Sequence, residues 1–311
     1  MHKLTTIKRK GNDNTRVLSC NFGEFMHLME GAPSGDHSGG GYYPSFHGDE
    51  QFGKDLESAK ALLWKGYQPD QMKSAMDGFD SEFESTTESV RMTEEGYDFD
   101  VPSILSGEDE VWFTKRQTGV APSIHIVFQA NSNSGVSARN FYIQAAVIRK
   151  ISEVLSESAH IKVSAVYASG KSAKLNGVDW ATAVCLSVKD YDEAVDERRL
   201  GATSHPSFFR RLIFATRDNA SKFFGEGFSS HPSCGTTRSP EQVGLDDTFL
   251  SAELDADMTI KIPQPESDKF DSVEDAVAYC KDVLSKAKQG VKAMQGLEFE
   301  DSKGWASIGG F

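Results

Sequence analysis

Four groups of residues in this chain have types and spacings that could do chemistry. The first is the loop Asn131-Ser132-Asn133-Ser134-Gly135, whose two hydroxyls stand one residue apart. Hydroxyl and amide oxygens can meet a polar partner, but a hard cation needs anionic oxygens to offset its dehydration. Asp190 and Asp192, after a later apolar run, are the candidate source of such a carboxylate. The second group sets Arg210 and Arg211 beside Phe208 and Phe209. Guanidinium groups bind phosphate bidentately and aromatics stack on bases, so this is a candidate contact for single-stranded nucleic acid. The bland alternative sends the phenylalanines into the core and pairs the arginines with acids. The third group is Lys3, Lys8, Arg9, Lys10 and Arg16, a basic arm able to neutralise phosphates without a pocket. The fourth, His231-x-x-Cys234, has a ligand-like spacing but no second pair to complete a zinc site. No nucleophile elbow, phosphate-binding loop, dinucleotide fingerprint or His-Glu-x-x-His helix occurs. The residues therefore nominate no catalytic group, metal ligand or cofactor.

The hydroxyl loop draws its interest from the elements around it. Ile124–Phe128 is an apolar run, the segment 139–155 has helical periodicity, and Ile161–Tyr167 is apolar again. That order predicts a βαβ crossover, which puts residues 131–135 at the carboxyl edge of a parallel sheet, where such sheets bind ligands. Ser137 is the expected cap of the helix, with Phe141, Ala145, Ile148, Ile151 and Leu155 as its buried stripe. A polar connection at 171–179 and a third strand at 181–188 follow. Ser251–Ile262 alternates as a half-buried strand, and Val273–Met294 reads as a long amphipathic helix opened by Ser272. Upstream, short and long helices are expected at 21–30, 55–65 and 70–91, the last from Met72, Met76, Phe79 and Phe83.

The whole is an α/β chain, a mostly parallel sheet flanked by helices with a helical N-terminal elaboration. The expected divisions are a basic arm (1–20), a helical and acidic region (21–115), the α/β core (116–295) and a mobile tail (296–311). At 311 residues with 38% hydrophobic content, the chain can bury a sizeable core. No apolar stretch approaches bilayer-spanning length, and no apolar segment follows the N-terminal lysines, so a cytoplasmic setting without membrane partners is expected. The net charge of −13 is concentrated between Asp77 and Glu110, where twelve acids face Arg91 alone. Such a block reads as a solvated surface and leaves room for basic faces elsewhere. Four cysteines lie far apart without a Cys-x-x-Cys pair, as expected of free thiols.

Two resemblances add to this reading. The stretch Ala130–Gly135 resembles the metal-adhesion loop of von Willebrand factor A domains, which carries Asp-x-Ser-x-Ser. Ser132 and Ser134 match its hydroxyls, whereas Ala130 replaces its carboxylate. Over 123–188 the resemblance implies a von Willebrand factor A-like centre with a degenerate, metal-free loop. Gly96–Glu108, His205–Ala215 and the Leu62–Tyr67 segment resemble an uncharacterised family of phages and other mobile elements. That similarity implies phage origin and no particular activity.

Together these features predict a non-enzymatic phage or mobile-element accessory factor working in the host cytoplasm. It would contact a phage or host protein at the sheet edge through Asn131, Ser132, Asn133, Ser134 and Asp190. The alternative is a single-stranded DNA-binding cofactor of phage transcription or replication using Lys8, Arg9, Lys10, Arg210 and Arg211. A metal-dependent hydrolase is the third reading.

Overall fold

The computed structural model describes residues 2–9, 14–30, 60, 70–91, 121–132, 136–205, 208–230, 236–245 and 256–294. Expected features at 31–53, 55–59, 61–65, 97–113, 133–135, 251–255 and 296–311, with Lys10, His231 and Cys234, fall outside these.

The sheet is built around the crossover. Strand β3 (Ser123–Gln129) enters helix α3 (Ala138–Ser156), which returns to β4 (His160–Leu175). Strands β3 and β4 pair in parallel with Ile124 opposite Ile161 and Phe128 opposite Ala165, as the apolar runs predict. Ser137 caps α3 by accepting from the Arg139 N–H. Strand β5 (Val178–Lys189) pairs antiparallel with β4, and β8 (Met258–Ile262) pairs in parallel with β3. Two N-terminal strands complete the order: β1 (Lys3–Lys8), antiparallel to β2 (Asn14–Asn21), which is parallel to β5. The path is β1-β2-β5-β4-β3-β8, while the short β6 (Phe228–Ser230) and β7 (Thr236–Thr237) pair with the far half of β4.

Two sequence expectations need correction. The presumed polar connection at 171–179 is a hairpin. Asn176 and Gly177 take φ of 52° and 78°, the left-handed pair that a tight two-residue hairpin requires, so β4 turns directly back into β5. The presumed basic arm is the outer pair of strands instead. Lys3–Lys8 carries polar residues on both sides, so it shows no apolar alternation. It is fastened by tertiary contacts, with the Arg16 guanidinium donating to Thr6 Oγ1 (2.6 Å) and to the Phe224 carbonyl (3.0 Å).

Helices pack on one face of the sheet. Leu18, Ile126, Phe128, Val163, Leu186 and Ile260 point into a single large core. Helix α1 (Phe22–Met29) starts on Asn21, whose side chain accepts from the Glu24 N–H while Glu24 reaches back to the Asn21 N–H. Helix α2 (Asp70–Arg91) buries Met72, Met76 and Phe79. Its Asp80 pairs with Arg149 and with Lys150 (3.3 Å) on α3, which neutralises part of the acidic block. After the short α4 (Glu197–Ser204), a wider π-helical turn (Phe208–Ile213) leads into α5 (Phe214–Asp218) and α6 (Ala220–Phe224). Phe208 in that turn stacks between Phe25 (5.7 Å) and Tyr167 (5.5 Å). Helix α7 (Val273–Met294) opens with the Ser272 hydroxyl accepting from the Asp275 N–H, as its sequence predicts. On the opposite face, Val17, Val127, Val166 and Ala183 pack against Val243 and Leu245. Gly244 makes that cover close to β1, since a Cβ there would lie 2.8 Å from Ile7 Cγ2.

Candidate functional site

The carboxyl ends of β3 and β8 meet in a polar network. Where β3 stops, the Ala130 N–H donates to the Val166 carbonyl (3.0 Å) and prolongs the parallel ladder by one residue. The Asn131 side chain prolongs it further: Nδ2 donates to the Ala168 carbonyl (2.8 Å) and Oδ1 accepts from the Ala168 N–H (3.3 Å). An amide can do this because it carries the same donor–acceptor pair as a peptide. Gln129 Nε2 donates to the Arg238 carbonyl (3.2 Å) and to Gln264 Oε1 (3.0 Å). Gln144, fully buried on α3, donates to the carbonyls of Gln129 (3.0 Å) and Pro263 (2.6 Å). It thereby stitches the ends of β3 and β8 to the crossover helix.

Above this buried layer lies a rim. Ser132 Oγ donates to Glu266 Oε2 (3.3 Å), Gln264 Nε2 donates to Glu266 Oε1, and Thr237 Oγ1 donates to the Ser132 carbonyl (3.5 Å). Thr237, Gln264 and Glu266 are half-buried and Arg238 is exposed. Glu266 brings to the hydroxyl loop the carboxylate that Ala130 lacks. It stands 134 residues after Ser132, so spacing could not reveal it. The available signal was Pro263-Gln264-Pro265-Glu266 directly after an alternating strand, a position that becomes a ligand edge if the strand is parallel. Oxygen donors for a cation here would be Glu266, Ser132 Oγ and Gln264 Oε1. A single carboxylate is short of what divalent ions take.

The structure separates the residues expected to act together. Asn131 is completely buried and Ser132 is 7% exposed, so both hold the edge together instead of facing a partner. Asn133 and Ser134 lie outside the described residues. Asp190 is at the other end of the sheet, because β5 runs antiparallel to β4 and finishes beside the start of that strand. There it pairs with Lys162 (3.2 Å) and accepts from the Tyr191 N–H (3.0 Å). Partial burial alone would raise the Asp190 pKa, but the Tyr191 N–H and the Lys162 ammonium outweigh it and hold the carboxyl below its usual range. Lys189 is 5% exposed and donates to the carbonyls of Ile161 and Asp190 (2.9 Å), and burial lowers its pKa.

The basic candidates are dispersed too. Lys8 is exposed at the end of β1, while Arg9 Nη1 donates to the Gln242 carbonyl (2.8 Å), so neither belongs to a loose arm. Arg210 and Arg211 have their backbone in the π-helical turn, and their side chains are not among those described. Phe208 goes to the core, the bland alternative for that residue.

A buried couple that the sequence did not nominate sits on the second face. His125 Nε2 and Ser164 Oγ are 2.8 Å apart, and both side chains are inaccessible. His125 Nδ1 has no hydrogen-bond partner. Burial, and then the Lys162 ammonium, push the imidazole pKa down to about 3, so His125 is neutral at physiological pH. Beside the N-terminal half of α7, a cleft of about 430 Å³ is lined by Asp268, Lys269, Asp271, Asp275, Tyr279 and Asp282. Among the described residues, no group of three or more His, Cys, Asp or Glu is placed to hold a metal. No helix there is long and apolar enough to cross a membrane.

The chain thus forms a mixed α/β sheet flanked by helices, with a crossover helix behind a polar carboxyl edge. Over residues 9–297 the chain belongs to the family described as "Domain of unknown function (DUF7192)". No curated protein and no solved structure matches it.

Proposed function

We propose that this chain is a non-enzymatic accessory factor of a phage or mobile element, and that it contacts a protein partner at the carboxyl edge of β3 and β8. The observation carrying this reading is the rim of Thr237, Gln264 and Glu266, with the Arg238 carbonyl, seated on the Gln129–Asn131–Gln144 layer. A polar surface whose side chains are already held by neighbours loses little conformational freedom on binding, and such preorganisation favours recognition. The contact residues thus shift from Asn131, Ser132 and Asp190 to the rim. A von Willebrand factor A-like centre is part of the proposal, supported by the parallel β3/β4 crossover and by Ser132 meeting a carboxylate at its edge. The phage setting and the host cytoplasm rest on the resemblance of Gly96–Glu108 and His205–Ala215. The nucleic-acid alternative loses its flexible arm, since Lys3–Lys8 is a paired strand.

The test is capture from the native host with the tagged full chain and with a Thr237→Arg/Glu266→Lys double variant. The expected result is one stoichiometric protein that survives nuclease and chelator and disappears with the double variant. Equal recovery on both baits, or loss on nuclease treatment, would overturn the reading.

A further inference from the structure

We infer that the protein segment seated on this rim is basic, and that it places one Lys or Arg side chain at Glu266 and a second in the adjoining cleft beside α7. The inference rests on the interaction reading above and names the chemistry of its partner. Among the described side chains at this edge, donor capacity is largely spent. Gln129 gives its amide hydrogens to the Arg238 carbonyl and to Gln264, and Gln144 gives its own to the carbonyls of Gln129 and Pro263. The hydroxyls of Ser132 and Thr237 donate to Glu266 and to the Ser132 carbonyl. What remains is acceptor capacity. The Gln144 amide, completely buried at the ends of β3 and β8, has its Oε1 without a hydrogen-bond partner. A buried acceptor left over at such a joint calls for a donor that the chain itself does not supply. Glu266 accepts from Ser132 and Gln264, two neutral groups, and a carboxylate bonds most strongly to a charged donor. One carboxylate matches the single positive charge of a Lys or Arg side chain and falls short of a divalent ion.

The surface beside the rim has the matching charge. Glu266 stands two residues before Asp268 on the wall of the cleft, so backbone reach puts the two at most about 7 Å apart. Four aspartates, Lys269 and Tyr279 line that cleft. Asp268 and Asp282 pair with Lys269 (3.3 Å) and Lys286 (2.7 Å). Asp271 and Asp275 instead accept from the neutral Asn140 (3.4 Å) and Ser272 (2.6 Å). Two carboxylates are thus held in place without being neutralised, and Tyr279 adds an aromatic ring, a favourable neighbour for a cation. Arg238 is exposed on the β7 side of the rim, so a basic segment meets least repulsion by running from Glu266 toward α7. Complementary charge of this kind chooses among partners that the polar rim alone would not distinguish.

The experiment titrates the full chain into a short fluorescein-labelled peptide of alternating Lys and Ser, with anisotropy followed at about 50 mM NaCl. Saturable binding is expected, about tenfold weaker when the lysines are acetylated or at about 300 mM NaCl. Glu266→Gln, which keeps an acceptor for Ser132, should weaken it about fivefold, and Asp271→Asn about threefold. Asp271 is exposed, so its variant keeps the test open if Glu266→Gln does not fold. Asp77→Asn, on the exposed face of α2, should change nothing and controls for general attraction to a chain of net charge −13. Equal weakening by Asp77→Asn, indifference to both Glu266→Gln and Asp271→Asn, or no saturable binding would overturn the inference. Host capture separates it from the interaction reading. A partner lost with Thr237→Arg but retained by Glu266→Gln strikes only the basic chemistry, whereas a partner indifferent to both substitutions strikes the reading and this inference together.

Discussion

Acid should weaken this fold through one imidazole. His125 is completely buried between β4 and β8, with Nε2 on Ser164 and Nδ1 without a partner. Its pKa falls from 6.5 to about 3 on folding, first through burial and second through Lys162, with Asp190 opposing. A base whose folded pKa is depressed lends its full stability above the unfolded value. It loses that stability as pH drops toward the folded one, because the unfolded chain takes up the proton first. Linkage puts the loss at about 2 kcal/mol by pH 5 and about 3 kcal/mol by pH 4, relative to pH 8. Urea unfolding of the wild type and of His125→Gln, which keeps a donor for Ser164 but does not titrate, isolates the contribution. Carboxylates titrate alike in both proteins, so the difference in unfolding free energy should be constant above pH 7 and shift by about 2 kcal/mol in favour of the variant by pH 5. A difference that stays flat from pH 8 to pH 5 would refute the reasoning.

Three further outcomes follow from the packing. Asn131→Ala removes both side-chain bonds to Ala168 from a fully buried position and should cost about 2 kcal/mol in denaturant unfolding. A neutral result would mean the side chain does not extend the ladder. Phe208→Ala empties the stack between Phe25 and Tyr167 and should cost about 3–5 kcal/mol, read as a fall in thermal midpoint. Cys20 and Cys280 are buried, which pushes both thiols up to about 12, so neither should react with a thiol reagent at pH 8 unless the chain is unfolded. The half-buried Cys185 is expected to react first among the three.

The elements legible in the sequence were those whose side chains are sorted by one buried face. Helices α2 and α7 were visible because each packs against the core with a single stripe, Met72, Met76 and Phe79 in α2 and Val277, Cys280, Leu284, Ala287 and Val291 in α7. Strands β3 and β4 were visible as apolar runs because both lie inside the sheet. The far half of the β4–β5 hairpin was not, since Lys171, Lys174 and Asp179 interrupt the apolar pattern on an extension that reaches past β3. Strand β1 was hidden for a related reason: as an edge strand it keeps polar residues on both faces. At the site, local reading located the carboxyl edge but assigned it the wrong carboxylate. Asp190 and Glu266 both follow apolar strands, and only the strand direction, antiparallel for β5 and parallel for β8, decides which reaches Ser132. Direction is set by the hairpin at Asn176-Gly177, whose left-handed pair reverses the chain within two residues.

The most direct test of the interaction surface is site-specific photocrosslinking in the native host. A benzophenone side chain is placed at position 237 on the rim or at position 192 near the opposite end of the sheet. The account predicts a discrete protein adduct from position 237 and none from position 192. An adduct formed only from position 192 would contradict it.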